Sequence, residues 1–146
     1  MQGGTHIAAA LAAGSVIMTG NPAGIVAAGI GAVFPDIDSR HSVIGRKIPF
    51  LWLIGGRHRG WTHSILGLII FSLPLWLLSK EIFIGFALGY ITHLLLDMLN
   101  PSGVRVFWPI PLTVRLSSIS STDFLWNFIL TTVFTLIFLS RLLLNI

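Results

Sequence analysis

Residues 82–99 form one long apolar run, and inside it the segment HLLLD sets His93 and Asp97 four residues apart. A charged aspartate at the centre of a membrane helix costs about 2.5–3.5 kcal/mol on insertion scales. A chain that keeps one there must compensate it. A bound metal ion, with these side chains among its ligands, would do so.

Composition points the same way. Hydrophobic residues make up 54% of the 146, and charged residues 10%, where a water-soluble domain has about a quarter. The length is that of one domain, here 1–146, and the composition is that of a membrane protein. The net charge of +4 forms no basic block or helix face, so nucleic acid is not an expected partner. The charge fits membrane orientation and anionic head groups better. With no cysteine, disulfides and thiolate–zinc sites are excluded. The start, MQGGTHIAAALAAG, has no basic n-region, which argues against a cleavable signal peptide.

Hydrophobic patterning predicts an all-α integral membrane bundle of about five helices. Thr5 can cap a first helix over 6–19. Asn21-Pro22 stops it and starts a second, which runs to Phe34. At 1.5 Å per residue each is about 20 Å long, short of the ~30 Å hydrocarbon core. Residues 35–61 are polar and basic and enclose the apolar stretch IPFLWLI, suited to the membrane interface. A third helix is expected over 62–79, capped by Thr62 and kinked at Pro74, and Lys80-Glu81 makes a tight turn. A fourth covers 82–99, and a proline-rich loop leads to a fifth over 124–144, capped by Thr122 or Asp123.

Seven of the nine Lys/Arg lie in the two long loops, 35–61 and 100–121. The positive-inside rule then puts both loops in the cytoplasm of a multi-pass inner-membrane protein. On that topology His6, Asp36, Asp38, His58, His63, His93 and Asp97 all reach one membrane face. Hydropathy alone does not require this.

The i, i+4 spacing of His93 and Asp97 puts both on one helical face, within reach of one ion. PDID supplies Asp36 and Asp38; in an extended stretch they face opposite ways, so one can bind metal while the other orients a ligand or bridges. In HRGWTHS, His58 and His63 could both ligate, or His63 could ligate while His58 acts as acid or base. His41 reads as a loop histidine. Arg57 and Arg59 suit bidentate contact with phosphate or carboxylate, and Arg105 is expected to point into the site from the loop beside HLLLD. A donor set of nitrogen and oxygen suits Zn²⁺, Mn²⁺ or Fe²⁺, as one ion or two. Water activated by such an ion is the natural nucleophile.

The ordered segments TH near the start, PDID, HRGWTHS and GYITHLLLDMLNPSGVRVFWP resemble the bacterial inner-membrane metal-dependent hydrolase family, some members of which are under LexA control. The resemblance covers residues 5 to 116 and implies a membrane-bound, metal-dependent hydrolase. The His/Asp pattern is more distantly similar to the zinc-dependent phospholipase C and P1 nuclease group. That likeness implies metal ligands at His6, Asp38, His63, His93 and Asp97. It leaves Asp36 to orient or bridge and His58 to move protons.

The expected activity is attack of metal-activated water on an ester, a phosphoester of a membrane lipid being favoured by the site's depth and by Arg57, Arg59 and Arg105 nearby. Two other readings use the same ligands: transport of a metal ion or proton, and a non-catalytic membrane scaffold with a structural metal. The apolar far halves of helices three and four count against transport.

Overall fold

The computed structural model describes residues 1–39, 42 and 59–144. The interfacial stretch IPFLWLI, His41, Arg57 and His58 lie outside the described residues. Five α-helices are present among the described residues: α1 (Gly3–Ile17), α2 (Pro22–Gly31), α3 (Ile65–Ser72), α4 (Lys80–Met98) and α5 (Phe124–Leu144). The described residues contain no strand, so the expected all-α class holds. Two helices, α4 and α5, are long and apolar enough to cross a membrane.

Local chemistry explains most of the boundaries. Asn21 ends the α1–α2 turn and caps α2, its side-chain oxygen accepting from Gly24 N at 2.9 Å, with Pro22 in the first helical position. Ser64, rather than Thr62, caps α3 by accepting from Gly67 N. Pro74 supplies no N–H, and α3 gives way to a 3₁₀ segment over Leu73–Leu77. Lys80 and Glu81 are not a free turn; they form the first turn of α4, capped by Ser79. Asp123 caps α5, accepting from Trp126 N at 3.1 Å.

Thr5 is not a cap either. α1 begins before it, and the buried Thr5 hydroxyl donates to Asn127 Oδ1 at 3.1 Å and lies 2.9 Å from Thr131 Oγ1. Asn127 is itself buried and uses all of its amide. Its oxygen also accepts from Gln2 N, and its nitrogen donates to Ser121 O and Asp123 O. This clamp fixes the start of α5 on the start of α1.

The tightest packing is between α2 and α4. A β-carbon at Gly85 would collide with the backbone of Gly24, one at Gly89 with the carbonyl of Ala28, and one at Gly31 with the carbonyl of Phe86. Small residues thus bring the two backbones into contact, the close approach that small-xxx-small spacing permits. Gly85, Gly89, His93 and Asp97 follow one another at i, i+4 along α4, so the same face carries the helix contact and then the ionisable pair. Beside this seam Phe86, Tyr90 and Leu94 pack with Val104 and Val106 from the long loop. That loop folds back over the end of α4 through the paired Val104 and Val114 backbones and the bond from Leu116 N to Met98 O.

Gly89→Ala should therefore force α2 and α4 apart and cost about 1–3 kcal/mol, read as a lower melting temperature in detergent. Gly4→Ala, where an added β-carbon meets nothing within 4 Å, should leave the melting temperature unchanged or slightly raised.

Candidate functional site

Four elements bring their polar side chains to one end of the helices. His6 comes from the first turns of α1, and Asp36 and Asp38 from a 3₁₀ turn over Pro35–Asp38 that follows α2. His63 comes from a second 3₁₀ turn over Trp61–His63, and His93 and Asp97 from the last turns of α4. His6, His63 and His93 are fully buried, as nearly are Asp38 and Asp97. The side chain of Asp36 is 26% exposed and marks the open side.

The donor atoms converge closely. His63 Nε2 lies 3.3 Å from His93 Nε2 and 3.4 Å from Asp36 Oδ1. His93 Nε2 lies 3.8 Å from both Asp36 Oδ1 and Asp97 Oδ2, and His63 Nε2 is 3.7 Å from Asp97 Oδ2. His6 Nε2 approaches the other oxygen, Asp97 Oδ1, at 3.5 Å, and its ring stacks on His93 with centroids 4.0 Å apart. Four-coordinate zinc with nitrogen and oxygen ligands at about 2.0–2.2 Å requires ligand atoms about 3.3–3.6 Å apart. The observed separations fall on or just outside that edge length. Two overlapping trios, His6–His93–Asp97 and Asp36–His63–His93, could each hold a cation. Two carboxylates match the charge of a divalent ion.

A further layer of contacts orients the imidazoles. His93 Nδ1 donates to the carbonyl of Ala32 at 2.6 Å, which leaves Nε2 to face the cluster. Asp38 Oδ2 lies 3.3 Å from His63 Nδ1 and accepts from Thr62 Oγ1 at 2.8 Å and from Arg59 N at 2.9 Å. Tyr90 donates its hydroxyl proton to the carbonyl of Thr62, pinning that turn to α4. The places of the two aspartates are thus the reverse of those expected: Asp36 faces the imidazole nitrogens, and Asp38 sits behind His63. The segment is a 3₁₀ turn begun by Pro35, not an extended stretch, and that sets the two side chains.

Asp97 gathers three other contacts besides the three imidazoles. Its Oδ1 accepts from Asn100 Nδ2 at 3.0 Å and lies 3.2 Å from the Met1 amino group, while Arg59 Nη2 reaches Oδ2 at 3.1 Å. Arg59 also contacts Ser102, and it adopts a left-handed backbone with φ of 62°. Its guanidinium therefore stands at the cluster. Arg105 does not point into the site. Val104 and Val106 on either side of it are buried in the core, and the alternation leaves Arg105 exposed. Asn100 and Asn127 had no signal in the sequence, because each is defined by partners that only the fold supplies.

Burial works against a charge on His63, but hydrogen bonds with Asp36 and Asp38 outweigh it and push the imidazole up to about 9. Burial would raise the Asp36 carboxyl, but the His63 hydrogen bond and the neighbouring imidazoles hold it below the ordinary carboxylate range.

Five helices, two of them able to cross a bilayer, closed at one end around a buried imidazole–carboxylate cluster, define a helical membrane protein with a candidate metal centre. The chain belongs to the YdjM inner membrane protein family, whose profile matches residues 1–145. It is 37% identical over 87 residues to the inner membrane protein YdjM of Escherichia coli and, equally, of Shigella flexneri, a match covering 53% of this chain and 44% of each relative. The chain thus aligns with less than half the length of these two relatives. It is also 34% identical over 125 residues to the uncharacterized protein YvsG of Bacillus subtilis, covering 80% of this chain and 78% of that one. No solved structure matches the chain. Family membership places the protein in the bacterial inner membrane.

One outcome follows for metal-stripped protein. His63 titrates near 9 when folded and near 6.5 when unfolded, so its proton stabilises the fold fully below pH 6.5. That contribution is lost as pH rises through 9. Melting curves of chelator-treated protein should fall across this window, and Asp38→Asn should flatten the fall.

Proposed function

We propose that the protein is a membrane-embedded, metal-dependent hydrolase acting on an ester, with a phosphoester of a membrane lipid as its substrate. The observation that supports it most is the convergence of His63, His93, Asp36 and Asp97 at 3.3–3.8 Å, nitrogen facing oxygen. On this reading His6, Asp36, His63, His93 and Asp97 hold one or two divalent ions, Zn²⁺, Mn²⁺ or Fe²⁺. Asp38 and the Ala32 carbonyl hold His63 and His93 in the tautomer that presents Nε2. A divalent ion in this position supplies an activated water and polarises the scissile ester.

The chain's own residues supply the rest. Asp36, the most exposed of the set, stands where a substrate would enter and can take a proton from attacking water. Arg59 sits beside Asp97 with its side chain 20% exposed and can pair with an anionic head group. His58 for proton transfer and Arg57 for substrate remain part of this proposal from the sequence. Arg105, exposed on the loop, keeps at most a role in collecting anionic lipid from the surface. The positive-inside distribution of Lys/Arg favours a multi-pass topology with the site at the cytoplasmic face. Apart from Tyr90, the described parts of α3 and α4 carry no ionisable group between the cluster and the Lys80-Glu81 pair, which favours hydrolysis over transport.

Purified protein should contain one or two equivalents of metal by elemental analysis. Chelation should abolish phospholipid hydrolysis, with Zn²⁺ or Mn²⁺ restoring it. His93→Ala and Asp97→Ala should lose both metal and turnover, whereas Asp38→Asn should weaken metal binding about 10–100-fold. Full activity in Asp97→Ala, or metal uptake into proteoliposomes without turnover, would overturn the proposal.

A further inference from the structure

At the opposite end of the helices, α1, the start of α2 and the last turns of α5 enclose a cleft of about 370 Å³. Arg141 lies fourteen residues beyond Asn127 on α5, so the cleft is about 20 Å from the cluster end. Its walls are apolar, built from Ile25 and Val26 of α2 and Phe138 and Leu142 of α5. Among the described residues lining it, Arg141 is the one charged side chain.

The guanidinium of Arg141 is positioned but not satisfied. Nη2 donates to Thr19 Oγ1 at 2.9 Å and to the carbonyl of Ser15 at 3.4 Å, which holds the planar fork in place. Nε is buried and has no hydrogen-bond partner, and no carboxylate pairs with Arg141 among the described residues. A buried donor left unmade carries a desolvation cost. The N-terminus of α2, at Asn21-Pro22, lines the same cleft and adds the positive end of a helix dipole. Everything polar here suits an anion with two acceptor oxygens, and everything else suits hydrocarbon.

We propose that this cleft seats an anionic phospholipid, its phosphate on the part of the Arg141 guanidinium that lines the cleft and an acyl chain against Ile25, Val26, Phe138 and Leu142. Phosphate oxygens match the guanidinium fork, as Arg–phosphate pairs commonly do. The location in the inner membrane supplies such a lipid at the surface of α5. This site is separate from the imidazole–carboxylate cluster and does not rest on the hydrolase reading.

The test uses the full chain in a neutral detergent, with phosphatidylglycerol or phosphatidylcholine added and bound lipid per chain read by native mass spectrometry. Wild type should retain phosphatidylglycerol over phosphatidylcholine by about tenfold, because the choline cation offsets the phosphate charge of the latter and is repelled by Arg141. Arg141→Gln should erase that preference, and Val26→Trp, which fills the apolar wall without touching the guanidinium, should reduce retention of both lipids. Metal content should be unchanged in both variants. Equal retention of the two lipids by wild type, or an unchanged preference in Arg141→Gln, would overturn the proposal. So would complete displacement of the lipid by inorganic phosphate, which would make this a free-anion site. If Arg141→Gln does not fold, the wild-type lipid ratio and Val26→Trp decide the matter.

Discussion

The contact between the α2 and α4 backbones governs the rest of the structure. Two helices that touch without side chains between them are held in one register, since any slide brings a β-carbon into a carbonyl. Gly24 meets Gly85, and Ala28 meets Gly89. One turn further on, the carbonyl of Ala32 accepts the His93 ring proton. The imidazole is thus aimed by the same seam that packs the helices. Asp97, a turn beyond, inherits its position from it.

The second constraint is electrostatic. Asp36, Asp38 and Asp97 crowd three imidazoles in a space largely closed to solvent. Isolated charges there would be costly, so each carboxylate is compensated. Asp38 takes a hydroxyl and a backbone N–H, and Asp97 takes a guanidinium, an amide and an amino group. Arg59 does double duty. Its backbone N–H serves Asp38 while its side chain serves Asp97, which accounts for a non-glycine residue in a left-handed conformation that costs about 1–2 kcal/mol.

Much of this was legible in the sequence, because the signals were local. His93 and Asp97 share a helical face by their spacing alone, and the Asn21-Pro22 and Pro74 breaks are properties of the residues themselves. That the ionisable groups would gather at one end of the helices followed from the order of helices and loops. What failed was conformation at short range and partnership at long range. Asp36 and Asp38 exchanged places because a proline-started 3₁₀ turn has a different rotation per residue from a strand. Thr5 and Thr62 looked like caps, as small hydroxyl residues near helix starts do, but each hydroxyl is drawn to a partner from elsewhere in the chain, Asn127 or Asp38. Arg105 could not be placed without knowing that Val104 pairs with Val114.

The outer helix shows what such a division of labour permits. Along α5 only Asn127 is buried, while Leu125, Phe128, Leu136, Leu139 and Leu143 stand uncovered. Its attachment to α1 runs along a half-buried stripe of Leu130, Thr131, Phe134 and Phe138, pinned near its two ends by polar contacts at Asn127–Thr131 and at Arg141. Away from that stripe the side chains of α5 are apolar and uncovered, a surface suited to lipid rather than water. One greasy residue can replace another there with little effect on the buried cluster at the far end.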